Sequence, residues 1–383
     1  MNTIEKISVK NKKVLLRVDY NVTISPQGKI VDDTRIKSTL PTIDYLLKKD
    51  AKKIILVTHF GRPIIQPKAP IENIIQGNKN LQVLILVQNL AKHLDLDVKN
   101  IKLIKSKNID LPIYKISDRI EMLENIRFDT KEETNDSYFS KQLASLADIY
   151  VNDAFGNIHR EHASMVGVAK LLPSYAGFLV KREVEMLGSL MGKPQKPFVL
   201  IMGGAKTSEK IKTLKKLMSK ASKILLGGVM ANTFLAGRNV DIKQSVYEKD
   251  MIEFASDLYE KAPSKFYLPN DLVWDRGMAC DIGKTTIEQY KKIIAEAKTI
   301  FWNGTMGLTA IGNIKFAVGT HEIVKAIAES SAKVKIICGG DTIAEVEKLG
   351  LAKKMSFIST GGGAALEFLT GKKLPALELL YKK

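Results

Sequence analysis

Strand-length runs of apolar residues recur along the whole chain, each followed by a glycine or polar turn and then by a helical pattern. The runs are continuous rather than alternating, which is typical of strands covered on both faces. Such strands form mainly parallel sheets wrapped by helices, so the sequence predicts a doubly wound α/β fold. The clearest runs are KVLLRVDYNV, KKIILVTH, KPFVLIMGG, SKILLGG, TIFWNG and VKIICGGD.

The length predicts two domains, because 383 residues exceed what one hydrophobic core usually organises. An apolar stripe at helical spacing, followed by a Pro/Lys stretch, indicates a helix between them. The stripe consists of Val180, Val184, Leu187 and Met191. We therefore expect two parallel-sheet, Rossmann-like domains joined by a hinge helix. The predicted ranges are 1–175 for the first domain, 176–192 for the hinge helix, 193–373 for the second domain and 374–383 for a C-terminal segment.

The composition of the chain limits the kinds of molecule that the protein is expected to bind. No apolar run is long enough to span a bilayer and no secretory signal is visible, so we expect a cytoplasmic protein without a membrane partner. Two cysteines, Cys280 and Cys338, agree with a reducing compartment. A net charge of +18 suits phosphorylated metabolites, nucleotides or nucleic acid. Nucleic acid is disfavoured, because aromatic residues are only 7% and do not cluster with basic ones.

Four glycine-rich turns follow apolar strands in the second half. In open α/β sheets, ligands collect at the carboxyl ends of strands, where unpaired N–H groups of the next helix attract anions. Together the turns predict a phosphate-bearing ligand, with tight-turn glycine as the alternative. They are GGAK at Gly203 to Lys206, GGVM with Gly227 and Gly228, WNGTMG with Asn303, and CGGDT with Gly339, Gly340, Asp341 and Thr342.

Two of these turns carry charged residues with predicted roles. Thr342 and Glu345 have the spacing of a capping box, which places a helix start at this turn. Asp341 beside phosphate-binding amides favours a magnesium ion on nucleotide phosphates; a capping aspartate without metal is the alternative. Lys206 and Lys210 are predicted to share one helix face and bind an anion, with solvated lysines as the alternative.

Two incomplete motifs argue against other nucleotide sites. DIGKTT lacks the first glycine of a P-loop, because Met278 stands in its place, and the segment follows no clear strand. STGGGAALEF has Leu366 where a dinucleotide fingerprint needs its third glycine. Neither a P-loop nor an NAD-dependent dehydrogenase is supported.

Arginine and histidine mark the strand ends of the first half, where the second half has glycine. Arginines at the ends of successive parallel strands would converge on one edge of the sheet and offer forked donors to phosphate or carboxylate oxygens. A single arginine is more often a surface residue, but the shared position predicts a cationic site. The marked residues are Asp19, Asn21, Arg35, His59, Arg62, Arg127 and Arg160.

In order and spacing, these motifs resemble the phosphoglycerate kinase family over nearly the whole chain. The matching segments are RVDYNV, DDTRI, THFGRP, ENIRF, YVNDAFGNIHREHAS, PSYAGFL, GGAKTSEKI, WNGTMG, GGDT and STGGGAALEFLTGKKLP. The resemblance implies a monomeric enzyme of glycolysis and gluconeogenesis. Its reaction would be the reversible transfer of a phosphoryl group from 1,3-bisphosphoglycerate to ADP, which gives 3-phosphoglycerate and ATP and uses magnesium as cofactor. Transfer would be direct and in line, on closure of the two domains, and segment 374–383 would return to the first domain.

The resemblance also assigns roles to residues. The triose substrate would be bound by Asp19, Asn21, Arg35, His59, Arg62, Arg127 and Arg160. The nucleotide would be bound by Lys206, Lys210, Gly228, Asn303, Gly339, Gly340, Asp341 and Thr342, with Asp341 facing magnesium. Arg35 and Lys206, with N–H groups near Gly340 and Gly362, would stabilise the transferring phosphoryl group.

One motif departs from the family. The family's WNGPMGVFE reads WNGTMGLTA here, with Thr305 in place of the proline. Ala310 falls where the family's glutamate would contact the nucleotide ribose, and the loop up to Phe316 is longer. We therefore do not carry that ribose contact over to this chain.

Overall fold

The chain forms two compact units in a computed structural model that describes residues 1–66 and 69–381. One unit comprises Met1–Arg182 together with the C-terminal segment from Lys373, and the other comprises Glu183–Lys372. Each unit has its own mainly parallel sheet with helices and its own core. The predicted doubly wound α/β fold is confirmed.

The first unit is built on one seven-stranded sheet. Its strands are β1 (Lys13–Val18), β2 (Lys53–Val57), β3 (Lys102–Ile104), β4 (Ile113–Lys115), β5 (Ile120–Leu123), β6 (Ile149–Asp153) and β7 (Ser174–Ala176). They lie in the order β3-β4-β5-β2-β1-β6-β7. Strands β5, β2, β1, β6 and β7 run parallel, whereas β3 and β4 form an antiparallel edge. The carboxyl ends of the five parallel strands therefore share one edge.

Helices cover this sheet because their apolar faces are complementary to the buried strands. The helices are α1 (Thr34–Lys37), α2 (Leu40–Lys48), α3 (Ile71–Gly77), α4 (Leu84–His93), α5 (Ser137–Ala144), α6 (Val168–Leu171) and α7 (Phe178–Met191). Ile43 and Leu46 of α2 and Leu90 of α4 are fully buried in one cluster with Leu16 of β1. A π-helical turn, Ala163–Gly167, leads into α6.

The second unit contains a fully parallel six-stranded sheet and a separate hairpin. Its strands are β8 (Phe198–Met202), β9 (Lys223–Leu226), β10 (Phe266–Tyr267), β11 (Leu272–Asp275), β12 (Met278–Ile282), β13 (Thr299–Asn303), β14 (Val334–Cys338) and β15 (Phe357–Ser359). The sheet order is β10-β9-β8-β13-β14-β15, and β11 pairs with β12. The expectation that DIGKTT follows no clear strand was wrong, because its first two residues, Asp281 and Ile282, are the last two residues of β12 in the hairpin.

Three of the four predicted glycine-rich turns lead directly from a strand into a helix. The remaining helices are α8 (Thr207–Met218), α9 (Gly228–Gly237), α10 (Ile252–Lys261), α11 (Lys284–Ala295), α12 (Val318–Glu329), α13 (Gly340–Lys348), α14 (Gly363–Leu369) and α15 (Pro375–Leu379). The turns join β8 to α8, β9 to α9 and β14 to α13, and the fourth follows β13.

The C-terminal helix α15 packs within the first unit. The N–H of Ala376 donates to the carbonyl of Ile158 at 3.2 Å, and the carbonyl of Leu380 accepts from Asn2 at 2.7 Å. Of the predicted segment 374–383, the last two residues lie outside the described part of the chain.

Helix α7 contains the division between the units, between Arg182 and Glu183. Its fully buried positions are Val180, Glu183, Leu187 and Leu190. The predicted apolar stripe was therefore partly wrong, because Val184 and Met191 are only partly buried and a carboxylate, Glu183, takes a core position.

Asp153 anchors the first turn of α7. This buried residue ends β6, and its Oδ1 accepts from the N–H groups of Leu179 at 2.9 Å and Val180 at 3.2 Å. Gly177 is required nearby, since a Cβ there would lie 2.2 Å from the same oxygen. Burial raises the pKa of Asp153 to about 7.

We predict that Asp153→Asn changes how stability depends on pH. The pKa of Asp153 is higher in the folded state than in the unfolded state. The wild type's advantage over the variant in unfolding free energy is therefore fully present below pH about 4. It is lost as the pH rises through about 7. The loss should reach up to about 4 kcal/mol. Urea unfolding of both proteins from pH 4 to 8 measures it, and parallel stability curves would contradict the assignment.

Candidate functional site

Four arginines lie near enough to His59, the second residue after β2, for their charges to act on its ring. Burial lowers the pKa of His59 well below its usual value, and the positive charges of Arg17, Arg127, Arg160 and Arg35 lower it further. The ring is therefore neutral at pH 7, and its Nδ1 accepts from Arg17 Nη2 at 3.4 Å. We call these five residues the cationic cluster. The charges of Arg35, Arg127 and Arg160 thus all act on His59, and the binding of an anion by these residues stays a prediction.

Arg17 is a member that the sequence analysis missed. It lies inside β1, is 1% exposed, and donates from Nε to Ser164 Oγ at 2.8 Å and from Nη2 to Asn157 Oδ1 at 3.2 Å. Burial lowers the pKa of its guanidinium, and the charge of Glu132 opposes that effect. The sequence did contain a signal for Arg17, because it is a charged residue within the continuous apolar run KVLLRVDYNV.

Arg127 is positioned by a junction between two strand ends. It lies in a 3-10 turn after β5, where the Oδ1 of Asn125 accepts from its N–H at 3.2 Å and from that of Phe60 at 3.0 Å. Its Nη1 donates to the carbonyl of Gly61 at 2.8 Å. The turns after β2 and β5 are therefore held together, and burial lowers the pKa of Arg127.

Two buried arginine nitrogens in the cluster have no acceptor. The Nε atoms of Arg127 and Arg160 find no hydrogen-bond partner among the described residues. Glu133 Oε1 lies 3.0 Å from Arg127 Nε, an ion-pair distance, but not in hydrogen-bond geometry. Because buried polar groups are nearly always paired, these nitrogens indicate an anionic ligand.

The remaining predicted residues lie beside the cluster. The expectation that Arg35 lies at a strand end was wrong. It lies in helix α1, where its guanidinium pairs with the carboxylate of Asp19. Asn21 Oδ1 accepts from the N–H of Gly61 at 2.9 Å. Arg62 is exposed, and the described residues give it no ion pair with the others.

Helix α13 in the second unit begins at the predicted turn, but without the predicted capping box. Gly339, at φ +96°, is the N-cap, so Thr342 and Glu345 lie inside the helix. Thr342 Oγ1 instead accepts from the N–H of Gly304 at 2.8 Å, and Glu345 pairs with His321 at 2.5 Å.

The first residues of α13 leave room for a ligand. A Cβ at Gly340 would meet nothing within 4 Å, and the backbone there has no positive φ, so neither packing nor conformation requires glycine. Asp341 is exposed beside it. Asn303, which ends β13, is 3% exposed, and its Oδ1 has no donor among the described residues. An open backbone and the side-chain amide of Asn303 therefore lie at the same turn, since Asn303 Nδ2 would lie 2.9 Å from a Cβ at Gly339.

The two predicted lysines do not share a helix face. Lys206 precedes α8 in the left-handed region, at φ +59°, and its side chain is 73% exposed. Lys210 lies within α8, and its Nζ donates to the carbonyl of Gly203 at 2.6 Å. Burial lowers the pKa of Lys210, and the charge of Asp341 opposes that effect.

Another residue that the sequence analysis missed occupies the start of α8. The Glu248 carboxylate accepts from the N–H groups of Thr207 and Ser208, the latter at 2.9 Å. It lies some forty residues away in sequence, in a segment without a motif.

A cavity of about 200 Å³ opens beside these turns. Its lining includes Gly204, Gly228, Met306, Ala310 and Asp341. Gly228 has φ +56°, and a Cβ there would lie 2.7 Å from the backbone nitrogen of Gly204. The wall is largely apolar with a few polar residues, Asp341 among them, which suits a heterocyclic base joined to a charged group.

Gly362 caps helix α14 at φ +53°, and a Cβ there would also meet nothing within 4 Å. The preceding loop is fixed by Glu183, whose carboxylate accepts from Ser359 Oγ and from the N–H of Thr360, both at 2.7 Å. Burial raises the pKa of Glu183 to about 7.

We predict that Thr342→Val weakens the link between α13 and the turn after β13. The variant leaves the buried Gly304 N–H without an acceptor, which should cost about 1–3 kcal/mol of unfolding free energy. Amide exchange at Gly304, measured by NMR, should accelerate in Thr342→Val and stay protected in Thr342→Ser, which keeps the hydroxyl. Equal exchange in both variants would show that the bond is not formed.

Comparisons with known proteins point to one family. The family model described as "Phosphoglycerate kinase" matches residues 4–372. Phosphoglycerate kinase from Herpetosiphon aurantiacus is 41% identical over all of this chain and 99% of its own length. The one from Dictyoglomus turgidum is 41% identical over 98% of this chain and 97% of its own length.

Solved structures show the same likeness. The phosphoglycerate kinase structure from Coxiella burnetii aligns with a TM-score of 0.82 at 33% identity, covering 99% of this chain and 98% of that one. The structure from Pyrococcus horikoshii aligns with a TM-score of 0.80 at 29% identity, with the same coverage. The chain therefore belongs to the phosphoglycerate kinase family.

Proposed function

We propose that the chain divides its reaction between two sites, with the triose substrate bound by the cationic cluster and the nucleotide bound at the glycine-rich turns of the second unit. Membership of the family makes it a glycolytic kinase that transfers phosphate to or from the carboxyl group of phosphoglycerate, with ADP and ATP as substrates. The reaction is 1,3-bisphosphoglycerate plus ADP giving 3-phosphoglycerate plus ATP, in either direction.

The Nε atoms of Arg127 and Arg160, which have no hydrogen-bond acceptor among the described residues, carry the proposal for the triose site. A substrate with a phosphate and a carboxylate supplies the acceptors that these buried donors lack. Arg35 and Asp19, already paired, contribute a further donor and an acceptor for a hydroxyl group. Asn21, His59 and Arg62 complete the proposed site, Arg62 by moving inward from its exposed position.

The nucleotide is proposed to bind in the cavity between Gly204, Gly228 and Ala310, with its phosphates toward the start of α13. Gly339, Gly340 and Thr342 would present backbone N–H groups. The phosphates would be contacted by Lys206, Lys210 and Asn303. The Lys206 side chain is 73% exposed and, among the described residues, forms only a long ion pair with Glu209, at 3.8 Å, which a phosphate would replace. The methyl side chain of Ala310 cannot form a hydrogen bond to the ribose, so other residues of the cavity wall would have to contact the ribose.

Asp341 fits the role of a magnesium contact. Magnesium usually keeps several waters and binds through one or two carboxylates plus substrate phosphates. Among the described residues no group of three or more His, Cys, Asp and Glu is arranged to hold a metal. One exposed carboxylate beside a phosphate site is therefore the expected donor set, and the ion would offset the negative charge of the phosphates there.

Catalysis is proposed to rest on positioning and charge. A carboxylate acceptor is ionised at neutral pH and needs no general base, which agrees with a neutral, deeply buried His59. The transferring phosphoryl group would be stabilised by Arg35, Lys206 and the N–H groups at Gly340 and Gly362. Transfer would be direct and in line, after the two domains close around the hinge helix.

We propose that the protein is a cytoplasmic monomer. In the described ranges, no helix is long and apolar enough to cross a membrane.

We predict that Arg35→Ala lowers kcat by at least about 100-fold, because a donor to the developing charge is lost. Stability should fall by about 1 kcal/mol or less, since the Arg35–Asp19 pair is partly solvated. The measurement is a coupled assay of 3-phosphoglycerate phosphorylation by ATP, together with urea unfolding.

Lys37→Ala is the matched control, because Lys37 lies on the same short helix, is 56% exposed and pairs with Asp33 at 2.7 Å. It should leave turnover unchanged. Comparable losses of turnover and stability in Arg35→Ala would argue against its proposed role, and wild-type protein without activity on 3-phosphoglycerate and ATP would contradict the function itself.

A further inference from the structure

A buried carboxylate, Glu132, lies behind the cationic cluster. It is 1% exposed, and both of its oxygens accept from Ser164: Oε2 from the backbone N–H at 2.9 Å and Oε1 from the hydroxyl at 2.6 Å. Its carbonyl accepts from the N–H of Ala163 at 2.9 Å. Glu132 therefore holds the start of the π-helical turn Ala163–Gly167.

The Ser164 hydroxyl transmits this constraint to the cluster. It donates to Glu132 and accepts from Arg17 Nε at 2.8 Å, so its orientation is fixed from both sides. Arg17 is then held with Nη2 directed at His59 Nδ1 and Asn157 Oδ1. A chain of three hydrogen bonds thus runs from Glu132 to the ring of His59.

The turn has little freedom to shift. A Cβ at Gly167 would lie 2.0 Å from Ser140 Oγ of α5 and 2.8 Å from Asn135 Oδ1, so the turn is packed closely against that helix. The hydroxyl of Tyr150 in β6 also donates to the carbonyl of Ser164 at 2.8 Å. Ser164 is consequently fixed by its backbone as well as by its side chain.

Glu132 also supplies negative charge from the interior. Its charge opposes the lowering of the pKa of Arg17 and Arg127 by burial. The neighbouring carboxylate Glu133 is 56% exposed and can be exchanged for a substrate anion, whereas Glu132 has both oxygens committed. Glu132 can therefore stabilise the buried positive charge of these arginines without competing with the ligand for them.

We propose that Glu132 is a positioning residue of the triose site, which acts through Ser164 and Arg17 to hold the cationic cluster ready for an anionic three-carbon substrate. This inference rests on the proposed function. Removing a group that orients a metal ligand commonly changes metal affinity or activity by about 10- to 100-fold, and we expect an effect of the same order for a group that orients an arginine of the triose site. The expected effect is on binding of the triose substrate, not of the nucleotide.

The test compares Glu132→Gln, Ser164→Ala and the double variant by steady-state kinetics. Glu132→Gln should raise KM for 3-phosphoglycerate by at least about tenfold and change KM for ATP by less than about twofold. Ser164→Ala should raise KM for 3-phosphoglycerate in the same sense. The double variant should resemble Glu132→Gln, because both changes break one chain of contacts.

Glu121→Gln is the matched control, since Glu121 is a 6% exposed carboxylate in β5 of the same sheet, paired with Lys53. It removes a buried charge and should leave KM for 3-phosphoglycerate unchanged. Thermal unfolding of each variant separates a general loss of stability from a specific loss of binding.

An unchanged KM for 3-phosphoglycerate in folded Glu132→Gln would overturn the proposal, as would equal rises for both substrates or the same rise in Glu121→Gln. Additive effects in the double variant would also overturn it. Should Glu132→Gln fail to fold, Ser164→Ala alone decides, with an unchanged KM counting against the proposal. Wild-type protein inactive toward 3-phosphoglycerate would instead refute the proposed function.

Discussion

Parallel pairing of the strands is the constraint on which both candidate sites depend. Leu16 of β1 is in register with Leu56 of β2 and with Val151 of β6, so these strands end at the same level of the sheet. Whatever residues follow those strands must therefore meet. In the first unit His59 and Arg127 follow strands in this way and join Arg17 of β1 in the cationic cluster. In the second unit, where β8, β13 and β14 pair in the same way, the residues that follow the strands are largely glycines.

Burial makes these two edges electrostatically different. The arginines of the first unit are partly removed from water, so His59 stays neutral. The negative charges of Glu132 and Asp19 stabilise these arginines. The second unit offers open backbone amides, with the charges of Lys206 and Asp341 more exposed to solvent. A reaction whose acceptor is already ionised needs cations and amides rather than a base, and these edges supply them.

The fold and the strand ends that carry the candidate sites could be predicted because they depend on local patterns. Continuous apolar runs identified the central strands, and topology placed the polar residues after them. The Arg17–Ser164 contact could not be predicted in this way, because its partners are 147 positions apart. The capping box failed for the same reason: the hydroxyl of Thr342 is used by Gly304, a tertiary contact that local spacing does not encode.

Hydrogen–deuterium exchange with each ligand alone tests most directly whether the two substrates bind at separate strand edges. We predict that 3-phosphoglycerate protects amides in the turns around His59, Arg127 and Arg160. ADP with magnesium should protect the turns at Gly203–Lys206 and Gly339–Thr342 instead. Protection of the same unit by both ligands would contradict the account.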